Sequence, residues 1–208
     1  MKNSLNIALI VIVVLLIGLN VYKKSSGGDA DSSAPSVTAG PVNAEGFSTI
    51  EIDGSPVKKL EKYDENNVLI ESGETLNDLK TGTWTTYYTD GRVKSISSYI
   101  AGKLNGVQVN FTDRGQVELQ AFYKDGILHG SWTSYNNGSR KKEERMYNMG
   151  KLDGINRHYN RVGKLQKEIG FKNDLQHGVF KYYDDDGNVT LEYEYENGEK
   201  VKGGIVSE

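Results

Sequence analysis

Few side chains in this chain could do chemistry, and they stand far apart. Its 208 residues include three His and no Cys. That removes disulfides, thiolate zinc sites and a Cys nucleophile. His129 and His177 each stand one residue before a glycine, 48 residues apart. If 24 residues make two strands, four strand spacings of roughly 19 Å separate them. Ligands of one ion sit at about 2.1 Å, so no metal is shared and both read as turn residues. His158 has no candidate ligand beside it. The run Asp184-Asp185-Asp186-Gly187-Asn188 places Tyr182 and Tyr193 where a calcium-binding EF-hand loop needs oxygen ligands. A solvated hairpin turn is expected there. Catalysis needs a nucleophile, a base and an orienting group in reach of one another. None assembles, so no enzyme, no metal and no cofactor is expected.

Two sets of side chains remain as candidates for contact with a partner. Glu144, Glu168 and Glu192 recur at intervals of 24. On neighbouring repeats they would form a ladder with rungs about 10 Å apart that could read a basic partner. Trp84 and Trp132 recur 48 residues apart, with Gln108 between them. An intermittent indole is not needed by a uniform repeat, so these two are candidate binding rings.

These residues are positioned by a repeat. Gly82, Gly106, Gly130, Gly154 and Gly178 are spaced by 24, a strong signal of a repeat architecture. The units start near 58, 82, 106, 130, 154 and 178. A second column runs through Gly91, Gly115, Gly163 and Gly187, and a third through Gly102, Gly126, Gly150 and Gly198. Asn-Gly and Asp-Gly pairs supply the positive φ of hairpin turns. Between turns lie short segments rich in Thr, Tyr, Val and Ile, as in strands. The fold class is therefore all-β: an elongated antiparallel meander of about a dozen strands. Tyr99, Tyr123, Tyr147, Phe171 and Tyr195 form the steadiest aromatic column and are expected in the core. Val93, Val117, Leu165 and Val189 share its parity, which predicts one apolar face and one polar face. The Trp column and Tyr87, Tyr135 and their equivalents stand three apart. That requires a bulge between them or one exposed ring.

Composition bounds the remaining readings. Net charge is −3, with pI about 5.7, so a nucleic-acid partner is not expected. Hydrophobic residues make up 37%, too little for a large layered core. Residues 1–24 contain the apolar run Ile7–Leu19, and the stretch 5–22 is long enough to cross a bilayer. No small-residue cleavage site follows it. A single-pass N-terminal anchor with the remainder extracytoplasmic is expected, the alternative being secretion after cleavage. Residues 25–45 are Ser-, Gly-, Ala- and Pro-rich and read as a flexible tether. The array occupies 46–208.

The unit Gly82-Thr-Trp84-Thr-Thr-Tyr87-Tyr88-Thr-Asp-Gly91, followed by Tyr99-Ile-Ala-Gly102-Lys-Leu104-Asn-Gly106, resembles the bacterial MORN-repeat variant. The resemblance covers roughly residues 58–203. It implies a curved single-layer sheet of hairpins acting as a non-catalytic scaffold for protein contacts, with lipid contact proposed for some members. Several bacterial relatives carry an antitoxin label, which implies as one alternative a protein that neutralises a toxin by direct binding. Choline-binding wall repeats have a similar Gly-x-Trp segment but a period of about 20, which leaves glycan or cell-wall binding as the alternative partner class.

Overall fold

The computed structural model describes residues 40–206. All regular elements among them are strands. They are β1 (Phe47–Glu51), β2 (Val57–Tyr63), β3 (Leu69–Leu76), β4 (Leu79–Tyr87) and β5 (Val93–Ile100). Next come β6 (Lys103–Phe111), β7 (Val117–Lys124), β8 (Ile127–Tyr135), β9 (Lys141–Asn148) and β10 (Lys151–Leu152). The series ends with β11 (Gly154–Tyr159), β12 (Leu165–Lys172), β13 (Leu175–Tyr183), β14 (Val189–Glu196) and β15 (Glu199–Ile205). Each strand pairs antiparallel with the next in sequence, except that β11 pairs with β9 and the short β10 pairs only with β9. The result is one open sheet, as the repeat predicts.

Two turn types alternate along the array. One hairpin end uses three-residue loops: the Gly91 N–H donates to Tyr88 O at 2.9 Å and the Tyr88 N–H to Arg92 O at 2.8 Å. Gly91 has φ of 83°, the left-handed position this loop requires. The other end uses two-residue turns with both φ positive, such as Asp125 at 52° and Gly126 at 84°. Their second residue also ties repeats together. The Gly126 N–H donates to Leu104 O, Gly150 to Leu128 O and Gly198 to Gln176 O, at 2.7–2.8 Å.

The glycines that open each unit are not in turns. Gly106, with φ of 106°, lies inside β6, where Ser97 pairs with Gln108 but Tyr99 pairs with Leu104. Two extra residues are absorbed there as a bulge. His129 and His177 precede such bulges within β8 and β13, so they are strand residues rather than the turn residues the sequence implied.

A second bulge reverses parity near each three-residue loop. Thr86 pairs with Ser95 but Tyr87 with Val93, so Val93 joins the face of Tyr87, opposite Tyr99. The same shift puts Val117 with Phe111, Leu165 with Tyr159 and Val189 with Tyr183. Trp84 and Tyr87, three apart, simply point to opposite faces. Neither a bulge between them nor a displaced ring is needed. Aromatic residues thus occupy both faces, which corrects the expectation of one apolar and one polar face. We name them the Trp face and the Glu face after Trp84 and Glu144.

With one layer there is little interior. Leu60, Trp84, Leu104 and Ala121 are the buried apolar side chains. Tyr99 and Tyr123 are half-buried, not the closed core expected of that column. Among the described residues nothing lies above the sheet to cover them, and Leu104, paired with Tyr99, is the better buried partner at 2% exposure. Among the described residues no helix is long and apolar enough to cross a membrane; the apolar run at 5–22 lies outside them. Residues 40–45, the end of the expected tether, do make contacts. The Val42 N–H donates to Asp78 O at 2.7 Å, and Val42 and Ala44 line a small cavity with Leu60 and Thr75.

Candidate interaction faces

On the Trp face, cross-strand pairing runs Trp84–Ser97–Gln108–Ala121–Trp132–Arg145 along one row. The two indoles differ in setting. Trp84 is 2% exposed. Its Nε1–H donates to Glu74 O at 2.8 Å, Phe47 meets it edge-on at 6.2 Å, and Lys80 Nζ lies 3.7 Å from the ring centroid. The ring lies against Gly73, where an added Cβ would come within 2.2 Å of it. A ring so covered has no face left for a partner, so the expectation of an exposed binding ring is corrected at this position. Trp132 is half-buried and has Arg145 over it at 4.8 Å.

Around Trp132 the Trp face gathers charge. Glu143, His158, Lys167 and Tyr182 are consecutive cross-strand partners on β9, β11, β12 and β13. Arg145 Nε donates to Glu143 Oε1 at 2.7 Å, and His158 Nε2 lies 3.6 Å from the same oxygen. Burial lowers the pKa of His158, with the nearby Lys167 charge adding to it. Burial also lowers the pKa of Lys167. Further along, Phe180 and Tyr193 rings lie 6.1 Å apart and Tyr193 meets Tyr195 edge-on at 6.5 Å. Glu143 and Lys167 share one repeat column and His158 and Tyr182 another, but each column changes residue type between repeats, so the columns did not show this cluster.

On the Glu face, Glu144, Glu168 and Glu192 do fall in one row, but bases interleave with them. Pairing runs Glu144–Arg157–Glu168–Lys181–Glu192. Arg157 Nε donates to Glu168 Oε1 at 2.7 Å, and Lys181 Nζ lies 3.5 Å from Glu192. Lys141 donates to Glu144 at 2.5 Å. The Tyr159 and Tyr183 hydroxyls donate to Glu144 and Glu168. Burial would raise the Glu168 pKa, but hydrogen bonds from Tyr183 and Arg157 outweigh it and hold the carboxyl below its ordinary value. Glu144 is held down likewise by Lys141 and Tyr159 against its burial. Burial and the bond to Glu168 push Tyr183 up to about 12. The ladder is internally neutralised, not the free acidic stripe the spacing implied.

Asp184 behaves as a turn-former. Its Oδ1 accepts from the Asp186 and Asn188 N–H groups at 2.9 and 2.8 Å. No group of three or more His, Asp or Glu suited to a metal occurs among the described residues.

The hairpins opened by Gly82, Gly130 and Gly178 share one plan: bulge glycine, Trp-face ring, Glu-face Tyr, three-residue loop, Trp-face Tyr. Residues 80–101 and 176–197 match the MORN repeat variant. The two windows start four periods of 24 apart, and each covers one hairpin and the first residue of the turn that follows. MORN repeats are in general non-enzymatic modules that contact proteins or membrane lipid. No curated protein matches the chain.

Proposed function

We propose that this chain is a membrane-anchored, non-catalytic β-repeat scaffold that binds another protein across its Trp face, with the array on the extracytoplasmic side. The carrying observation is the single uncovered layer. Trp132, Phe180, Tyr193 and Tyr195 stand half-buried on one face with no second layer among the described residues. Aromatic rings in such a position supply contact area at low entropic cost. The Glu face offers less, since its charges are already paired. A glycan reading asks for two exposed indoles, and Trp84 is not one.

Affinity capture with the full chain tests the reading. Trp132→Ala should reduce capture of a protein partner at least tenfold while Glu192→Gln leaves it unchanged. Equal capture by Trp132→Ala, or recovery of polysaccharide alone, would overturn it. An alkaline phosphatase fusion after residue 45 tests the topology in a bacterial host: activity supports export of the array, and an inactive, stable fusion refutes it.

A further inference from the structure

The Trp face carries more positive than negative charge between β9 and β12. Arg145, His158 and Lys167 converge there on one carboxylate, Glu143, and Arg145 already holds it at 2.7 Å. Lys167 has no carboxylate within 4.0 Å among the described residues, unlike Lys80 with Glu71 at 2.9 Å, Lys181 with Glu192 or Lys202 with Glu194. It is half-buried, and burial without a counterion costs more than exposure would. Its cross-strand neighbours are His158 on one side and Tyr182 on the other, so neither supplies negative charge.

The same row continues into aromatic and apolar surface. Tyr182 pairs with Leu191, and Phe180 with Tyr193, on β13 and β14. From β9 to β14 there are four strand spacings, roughly 19 Å. An extended peptide advances about 3.3 Å per residue, so one running across the strands would cover the track with about six residues. Resting on the reading of the Trp face as a protein-binding surface, we propose that its ligand is an extended acidic-aromatic peptide segment. Asp or Glu side chains would meet Lys167 and Arg145, with His158 between them as a hydrogen-bonding group. An aromatic or large apolar side chain a few residues away would lie on Phe180, Tyr182 and Tyr193.

Several features favour this ligand over a generic anion. Lys167 and Arg145 stand on different strands of an open face rather than in a closed pocket, which fits a chain better than a compact ion. The adjoining rings give that chain an apolar anchor next to its charge. The Glu face opposite is self-neutralised, so the bias is confined to one side of the sheet.

The test is selection of a random-peptide display library on the immobilised full chain, repeated with Lys167→Met and with Lys62→Met as a distant control. Lys167→Met keeps the length and apolar stem of the side chain. Circular dichroism melts would confirm that both variants fold. Enrichment of peptides with one or two acidic residues within about four positions of an aromatic is expected, with binding weakened about tenfold by Lys167→Met and unchanged by Lys62→Met. Enrichment of basic or neutral peptides, or of acidic peptides that bind Lys167→Met equally, would overturn the acidic-peptide assignment and leave the scaffold reading standing. No enrichment, together with Lys167-dependent binding to vesicles containing phosphatidylserine, would overturn both in favour of a lipid surface.

Discussion

Trp84 and Trp132 are the same residue in the same column, yet one is interior and the other is surface. The difference lies on the neighbouring strands. Trp84 lies against Gly73, and Phe47 from β1 closes over its edge. At Trp132 the preceding strand presents Ala121 and the following one Arg145. Ala121 is fully buried, so the indole at 132 covers a methyl group that Gly73 does not have. It cannot sink as close to the backbone, and no aromatic residue from an added strand caps it. In a single-layer sheet one methyl group on the adjacent strand helps decide whether a ring becomes core or contact surface.

The largest effect should separate the two rings directly. Trp84→Ala should cost about 3–5 kcal/mol, as for other buried aromatics. Trp132→Ala should cost nearer about 1–2 kcal/mol, because its side chain is only partly buried. Urea melts compare them, and equal losses would erase the distinction.

Next comes the glycine beneath. Gly73→Ala forces its Cβ into the Trp84 ring and should cost about 1–3 kcal/mol as overpacking. It should also shift Trp84 fluorescence to the red in a Trp132→Phe background. An unshifted spectrum would mean that the ring's depth is set elsewhere.

Acid should distinguish the surroundings of the two rings. Behind Trp132 the Glu face holds Glu144, with Glu168 two strands further on, whereas behind Trp84 it holds Ser72 and Thr85. Both carboxyls have folded pKa values below the ordinary 4.5. Their contribution is therefore present above about pH 4.5 and fades as pH falls through the lower folded values. Solvent screening keeps it below about 1 kcal/mol each. Single-Trp variants should show the Trp132 region loosening before the Trp84 region at low pH, with Glu168→Gln reducing the gap.

The smallest effect concerns the cations over the rings. Lys80→Met and Arg145→Met should each cost about 0.5–1 kcal/mol, the former more because its approach is closer. Matched melts at low and high salt would measure the difference.

The amino-acid sequence by itself determined the period, the meander and the places where the chain turns. Those features are local: positive φ falls mostly on Gly, Asn or Asp, with Ala101, Ser139 and Met149 each beside a glycine, and Thr, Tyr and Val favour the segments between. The same locality explains the errors. A bulge glycine and a turn glycine both need positive φ, so Gly106 in β6 is indistinguishable in sequence from Gly126 in its turn. The bulge beside each three-residue loop shifts parity without a residue type of its own, which moved Val93 and its equivalents to the other face. Tertiary structure decided what stands beside each side chain. Gly73 under Trp84, Arg157 between Glu144 and Glu168, and Lys167 beside His158 are neighbours only after the register is set. Register depends on pairing across the whole sheet, and a column of like residues cannot show whether its neighbours will bury, neutralise or expose it.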